Sequence, residues 1–120
     1  MPIKALLDEL VAKISGALGA VFVDPEGEAI ELCVRAATPY EMRLEAAYHG
    51  VFLRRAARLA SLAGAGGLRR LTIAGRKMRV LSRPLKGSYY LVLVLEPDAS
   101  VAAAADTLQR ASAGFEREIA

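Results

Sequence analysis

Two stretches of this chain are apolar at consecutive positions rather than at alternate ones: Leu18 to Val23 (LGAVFV) and Tyr89 to Leu95 (YYLVLVL). Runs of this length suit strands buried on both faces. Such strands belong at the centre of a sheet, so helices must cover both of its sides. Three segments have the required period. Ile3, Leu6, Leu7, Leu10, Val11 and Ile14 follow i, i+3, i+4 spacing, with Pro2 near the start and Gly16 just past the end. Val101, Ala105, Leu108, Ala111 or Ser112, Phe115 and Ile119 form a final amphipathic helix. A longer helix opens at Thr38-Pro39-Tyr40-Glu41, where Thr38 caps, Pro39 needs no N–H partner and Glu41 completes a capping box. It runs to about Ala63, and Gly64, Gly66 and Gly67 end it.

The other strands alternate. Asp24-Pro25-Glu26-Gly27 is a turn, after which Ile30, Leu32 and Val34 alternate with Glu31, Cys33 and Arg35. In Leu68 to Ala74, Leu71 and Ile73 alternate with Arg70 and Thr72; in Lys77 to Arg83, Met78 and Val80 alternate with charges. The predicted fold is α+β, an α/β sandwich with element order α-β-β-α-β-β-β-α. One five-stranded antiparallel sheet has the order 2-1-5-4-3. The long helix lies on one face, the two terminal helices lie on the other, and the third strand forms an edge. Residues 1–120 read as a single domain.

Charge is segregated. Residues 1–50 carry four basic and eight acidic side chains, residues 51–90 ten basic and no acidic ones, and residues 91–120 two basic and five acidic. The middle block implies an electropositive surface. Its counter-charge is either an anionic partner or the acidic segments of the same chain or a second copy. The single Cys33 excludes an internal disulfide and a Cys-based zinc site. No apolar run approaches the ~20 residues of a membrane span, and the N-terminus lacks signal-peptide features. The expected location is cytoplasmic.

Catalytic chemistry finds no constellation. His49 is the only histidine, and sequence logic places neither a nucleophile nor an orienting carboxylate beside it. Cys33 alternates on a strand as a half-buried thiol. Gly64-Ala65-Gly66-Gly67 lacks the Lys-Ser/Thr of a phosphate loop and leads into a strand. Tyr89 and Tyr90 are adjacent on a strand and point to opposite faces, so they form no single stacking platform for bases. Asp24 and Glu26 have no metal-ligand company. The expectation is a non-enzyme with no cofactor or metal, and nucleic acid is a disfavoured partner.

The long helix carries two apolar stripes. One is bulky: Leu44, Tyr48, Val51, Phe52, Leu59 and Leu62. The other is mostly small: Met42, Ala46, Gly50, Leu53, Ala57 and Ala60. Either both stripes make one wide core face, or each meets a different surface. On the second reading the bulky stripe covers the sheet. The small stripe, broken by Gly50 at a helix cost of ~1 kcal/mol, then lets the same helix of a second copy approach. Leu71 and Ile73 on the edge strand extend that dimer contact. Arg43, Arg54 and Arg58 form an outward polar arc, while Arg55 borders the bulky stripe.

The chain resembles the Roadblock/LC7 family, which includes dynein light chains and bacterial regulators of Ras-like small GTPases. The resemblance rests on Gly19-Ala20-Val21-Phe22-Val23-Asp24 followed by Pro25-Glu26-Gly27 and Ile30, and on the Ala-rich second helix. Gly64 to Gly67 leading into the meander, and Tyr90 to Leu95 before the last helix, complete it. It implies dimers joined through the second helix and third strand, and a small GTPase as partner. The resulting expectation is a homodimeric regulator or scaffold of a Ras-like small GTPase, with Arg43, Arg54 and Arg58 meeting the partner and any stimulation of hydrolysis being indirect. The alternative is a binder of anionic polymer or membrane through the 51–90 block, with peripheral membrane contact. A small-molecule sensor is a third reading without specific residues behind it.

Overall fold

The structure, a computed structural model, describes residues 2–120. Its elements are α1 (Ile3–Lys13), β1 (Ala17–Val23), β2 (Ala29–Val34), α2 (Pro39–Leu62), β3 (Leu71–Ala74), β4 (Arg79–Pro84), β5 (Tyr90–Leu95) and α3 (Val101–Glu116), with one 3-10 turn at Lys86–Ser88. The strands form one antiparallel sheet in the order β2-β1-β5-β4-β3. Helices α1 and α3 pack on one face and α2 on the other. This is the predicted layout.

The apolar runs do take the centre. Every residue of β5 is buried, as are all but one of β1. Along β5, Leu91, Leu93 and Leu95 point to α1 and α3, while Tyr90, Val92 and Val94 point to α2. The longer leucines fill the wider space under two helices, each contributing about 1.5–3 kcal/mol by burial. Phe22 continues that core, with its ring 5.4 Å from Tyr89 and 6.1 Å from Phe115. Valines and small helix residues let α2 sit close on the other face.

Local chemistry sets the element ends. Thr38 Oγ1 accepts from the Glu41 N–H at 3.1 Å, and Ser100 Oγ accepts from the Ala103 N–H at 3.2 Å. Asp24 Oδ1 accepts from the N–H groups of Glu26 and Glu28, both at 2.9 Å, closing the β1–β2 turn. Strand β3 is shorter than the alternation suggests, beginning at Leu71 rather than Leu68. Its ladder starts at Leu71 opposite Ser82, so one more step would set Arg70 opposite Arg83. Like charges directly across a ladder are destabilising. No helix among the described residues is long and apolar enough to cross a membrane.

Candidate functional site

The two stripes of α2 are reversed relative to the expectation. Met42, Ala46, Gly50 and Leu53 are buried, and they face the chain's own sheet beside Val21, Val23, Val80, Val92 and Val94. These four therefore lie inside the protomer and are not free to meet a second copy. Ala57 and Ala60 continue the stripe beyond the buried part; Ala57 is exposed and Ala60 half-buried. The reversal has a physical cause in Tyr90. Its hydroxyl donates to the Ala46 carbonyl oxygen at 3.0 Å, which brings the phenol beneath the helix at Gly50. A Cβ at Gly50 would collide with that hydroxyl and lie 3.1 Å from Cζ. The glycine makes room for a tyrosine of the same chain.

The bulky stripe faces away from the sheet. Leu44, Tyr48, Val51, Phe52, Leu59 and Leu62, joined by Tyr40 of the first turn, are all exposed, from 38% at Val51 to 77% at Leu62. Seven large apolar side chains on one side of a 24-residue helix exceed the scattered exposure usual for a soluble surface. Two tyrosines among them suit a surface that is wet when alone and covered when paired. The stripe leans toward the sheet edge. Gly50 sits over Tyr90 on β5, whereas His49 reaches Ser82 on β4, and Phe52 packs edge-on against His49 with centroids 5.7 Å apart. The helix side bearing His49 and Phe52 is thus the side toward β3.

Strand β3 pairs only with β4, which leaves its other edge open. Leu71 and Ile73 lie opposite Ser82 and Val80, on the α2 side of the sheet. Leu71 is half-buried and Ile73 is 39% exposed. Outward apolar helix and open apolar edge therefore adjoin. Arg43, Arg54 and Arg58 are exposed on the opposite flank of α2. Arg54 lines a cavity of about 310 Å³ with Pro25, Leu53, Pro84 and Tyr90. Arg55 is exposed within the outward sector.

His49 has neighbours that sequence logic did not supply. Its Nδ1 lies 2.5 Å from Ser82 Oγ, and its Nε2 lies 3.9 Å from a Glu45 carboxylate oxygen. The residue types are those of a nucleophilic triad. Ser82 is completely enclosed, however, and His49 is 2% exposed, so a substrate has no route to the hydroxyl in this conformation. Burial lowers the His49 pKa to about 4, which keeps the ring neutral at physiological pH. The cluster is a satisfied polar plug between α2 and β4. Cys33 is half-buried, and burial followed by the Asp8 carboxylate pushes its thiol pKa up, away from thiolate chemistry. Tyr89 and Tyr90 do face opposite sides: Tyr89 joins the α1/α3 core and Tyr90 the α2 core. No group of three or more His, Cys, Asp or Glu residues able to hold a metal occurs among the described residues.

No protein-family model matches the sequence, and no curated protein does. Solved structures share the fold. A Roadblock/LC7 domain from Streptomyces avermitilis superposes with a TM-score of 0.83 at 14% identity, covering 99% of this chain and 98% of that one. A structure described as MglB with tetrameric arrangement gives 0.84 at 21% identity, covering 94% and 84%. The gliding protein MglB from Thermus thermophilus gives 0.83 at 22% identity, again covering 94% and 84%. The chain has the Roadblock/LC7 fold.

Proposed function

We propose that this chain is a single-domain, non-enzymatic, homodimeric regulator or scaffold of a Ras-like small GTPase. The observation that carries the dimer is the adjacency of the outward apolar face of α2 to the open β3 edge. Two copies related by a two-fold axis cover both at once. The β3 edges pair into a continuous sheet, and the two α2 helices lie side by side upon it. Leu44, Tyr48, Phe52, Leu59, Leu71 and Ile73 form this contact, replacing the small stripe expected from sequence. The reading draws support from the fold shared with Roadblock/LC7 structures and from the description of one MglB structure as tetrameric.

The GTPase meets the side of the paired helices that the dimer leaves open. Arg43, Arg54 and Arg58 sit there, and guanidinium groups match acidic loops and phosphates with planar, forked geometry. Any acceleration of hydrolysis works by ordering the partner's own catalytic groups, because binding that favours one conformation shifts its population. The test is capture of small GTPases from the same cell, loaded with GDP or a non-hydrolysable GTP analogue. One should bind in a nucleotide-dependent way, and Arg54→Glu with Arg58→Glu should weaken it at least ~10-fold (about 1.4 kcal/mol) while the dimer persists. Absence of binding in both nucleotide states would sink the proposal.

A further inference from the structure

A second feature lies at the β3–β4 edge of the sheet, beside the C-terminal end of α2. There α3 packs against β4, while Thr72 on β3 stays exposed. Between α3, β4 and the loop that follows α2 runs a groove of about 870 Å³. Arg69, Arg70 and Arg83 line it together with Leu68, Leu108 and Gln109. No carboxylate is among its lining residues. The β3–β4 register brings the arginines together, because Arg70 precedes the first ladder pair and Arg83 follows it.

Arg83 is the informative member. Its Nε is fully buried and has no hydrogen-bond partner among the described residues. A buried N–H on a charged group is costly to leave unpaired, and native structures keep few of them. Arg79, four residues earlier on the same strand face, shows the contrast: its guanidinium donates to the Ala99 carbonyl oxygen at 3.0 Å. The fold uses Arg79 for itself and holds Arg83 in a groove shared with two further cations.

We propose that this groove is a phosphate-binding site. Its ligand presents a phosphate monoester or pyrophosphate group to Arg83 and Arg70, with Arg69 adding charge. Forked guanidinium groups bind phosphate oxygens in pairs, and a phosphate supplies the counter-charge that no carboxylate of the groove lining supplies. Leu68 and Leu108 offer an apolar wall for the organic part of the ligand. The phosphate can come from a soluble phosphorylated molecule or from a lipid headgroup.

Titration calorimetry of the full chain with inorganic pyrophosphate tests the soluble source. Co-sedimentation with phosphatidylcholine vesicles containing phosphatidylinositol 4-phosphate tests the lipid source. We expect saturable binding in at least one arm, weakened 10-fold or more by Arg83→Gln and likewise by exposed Arg70→Gln (about 1.4 kcal/mol each). Arg43→Gln, on α2, should leave it within about two-fold. Binding only in the first arm assigns a soluble ligand, and binding only to vesicles assigns a headgroup. Thermal melting and far-ultraviolet circular dichroism verify that each variant is folded. If Arg83→Gln does not fold, Arg70→Gln against Arg43→Gln decides. Binding in neither arm would overturn the proposal. So would equal losses in Arg70→Gln and Arg43→Gln, which would signify general attraction to the basic surface, as for a nucleic acid.

Discussion

The side of α2 that faces the sheet is built from Met42, Ala46, His49, Gly50 and Leu53, while the side that faces away carries Tyr40, Leu44, Tyr48, Val51, Phe52, Leu59 and Leu62. Bulk does not decide which side goes inward. The inner side is small because the sheet beneath it brings its own volume, above all the Tyr90 ring. The outer side is large although nothing within the protomer covers it. Inner residues answer to folding, and the outer ones are those proposed to meet a second molecule.

That contrast fixes an order of effects. Met42, at 1% exposed, is a fully buried side chain of the inner side, and Met42→Ala should lower stability by about 2–5 kcal/mol through lost burial and a residual cavity. Urea denaturation would measure it, and a loss under ~1 kcal/mol would break the inner half of the comparison. Acid should act on the same side. The folded-state pKa of His49, about 4, lies below the ordinary 6.5. The unfolded chain therefore takes up a proton as pH falls through 6.5, while the folded chain refuses it until about 4. Stability from neutral His49 is fully present above 6.5 and declines across that window, by about 3 kcal/mol in all. Denaturation midpoints between pH 7 and 4 should show a shallower decline in His49→Gln.

Gly50→Ala comes next. The ordinary helix gain of ~1 kcal/mol should be outweighed by the collision with the Tyr90 hydroxyl, for a net loss of about 1–3 kcal/mol. Adding Tyr90→Phe removes the colliding atom, so a double-mutant cycle should show coupling that favours the pair. Additive losses would mean that Gly50 serves something else. The smallest effect belongs outside. Leu62→Ser, at 77% exposed, should change folding stability of a monomer by less than ~0.5 kcal/mol.

Most of the fold was legible because its signals are local or repeat at short period. Doubly apolar runs placed β1 and β5 at the centre, alternation placed β2, β3 and β4 outside them, and Thr38 caps its helix in the structure as read. The orientation of α2 was not legible. It depends on a hydrogen bond between Tyr90 and Ala46, 44 residues apart, that no spacing rule reports. The same holds for His49 with Ser82, and for Arg70 with Arg83, which only the β3–β4 register sets together. One signal was available: Tyr48 in the bulky stripe, with Tyr40 at the start of the same helix, suits a partly wetted surface better than a closed core.

Sedimentation equilibrium of the wild type and of Phe52→Asp, an outward residue that is 40% exposed, tests the outer face most directly. The wild type should run at twice the 12.8 kDa chain mass, and the variant at the single-chain mass with its circular dichroism unchanged. A monomeric wild type, or a Phe52→Asp variant that stays dimeric, would contradict the assignment of α2's outward face to a second copy.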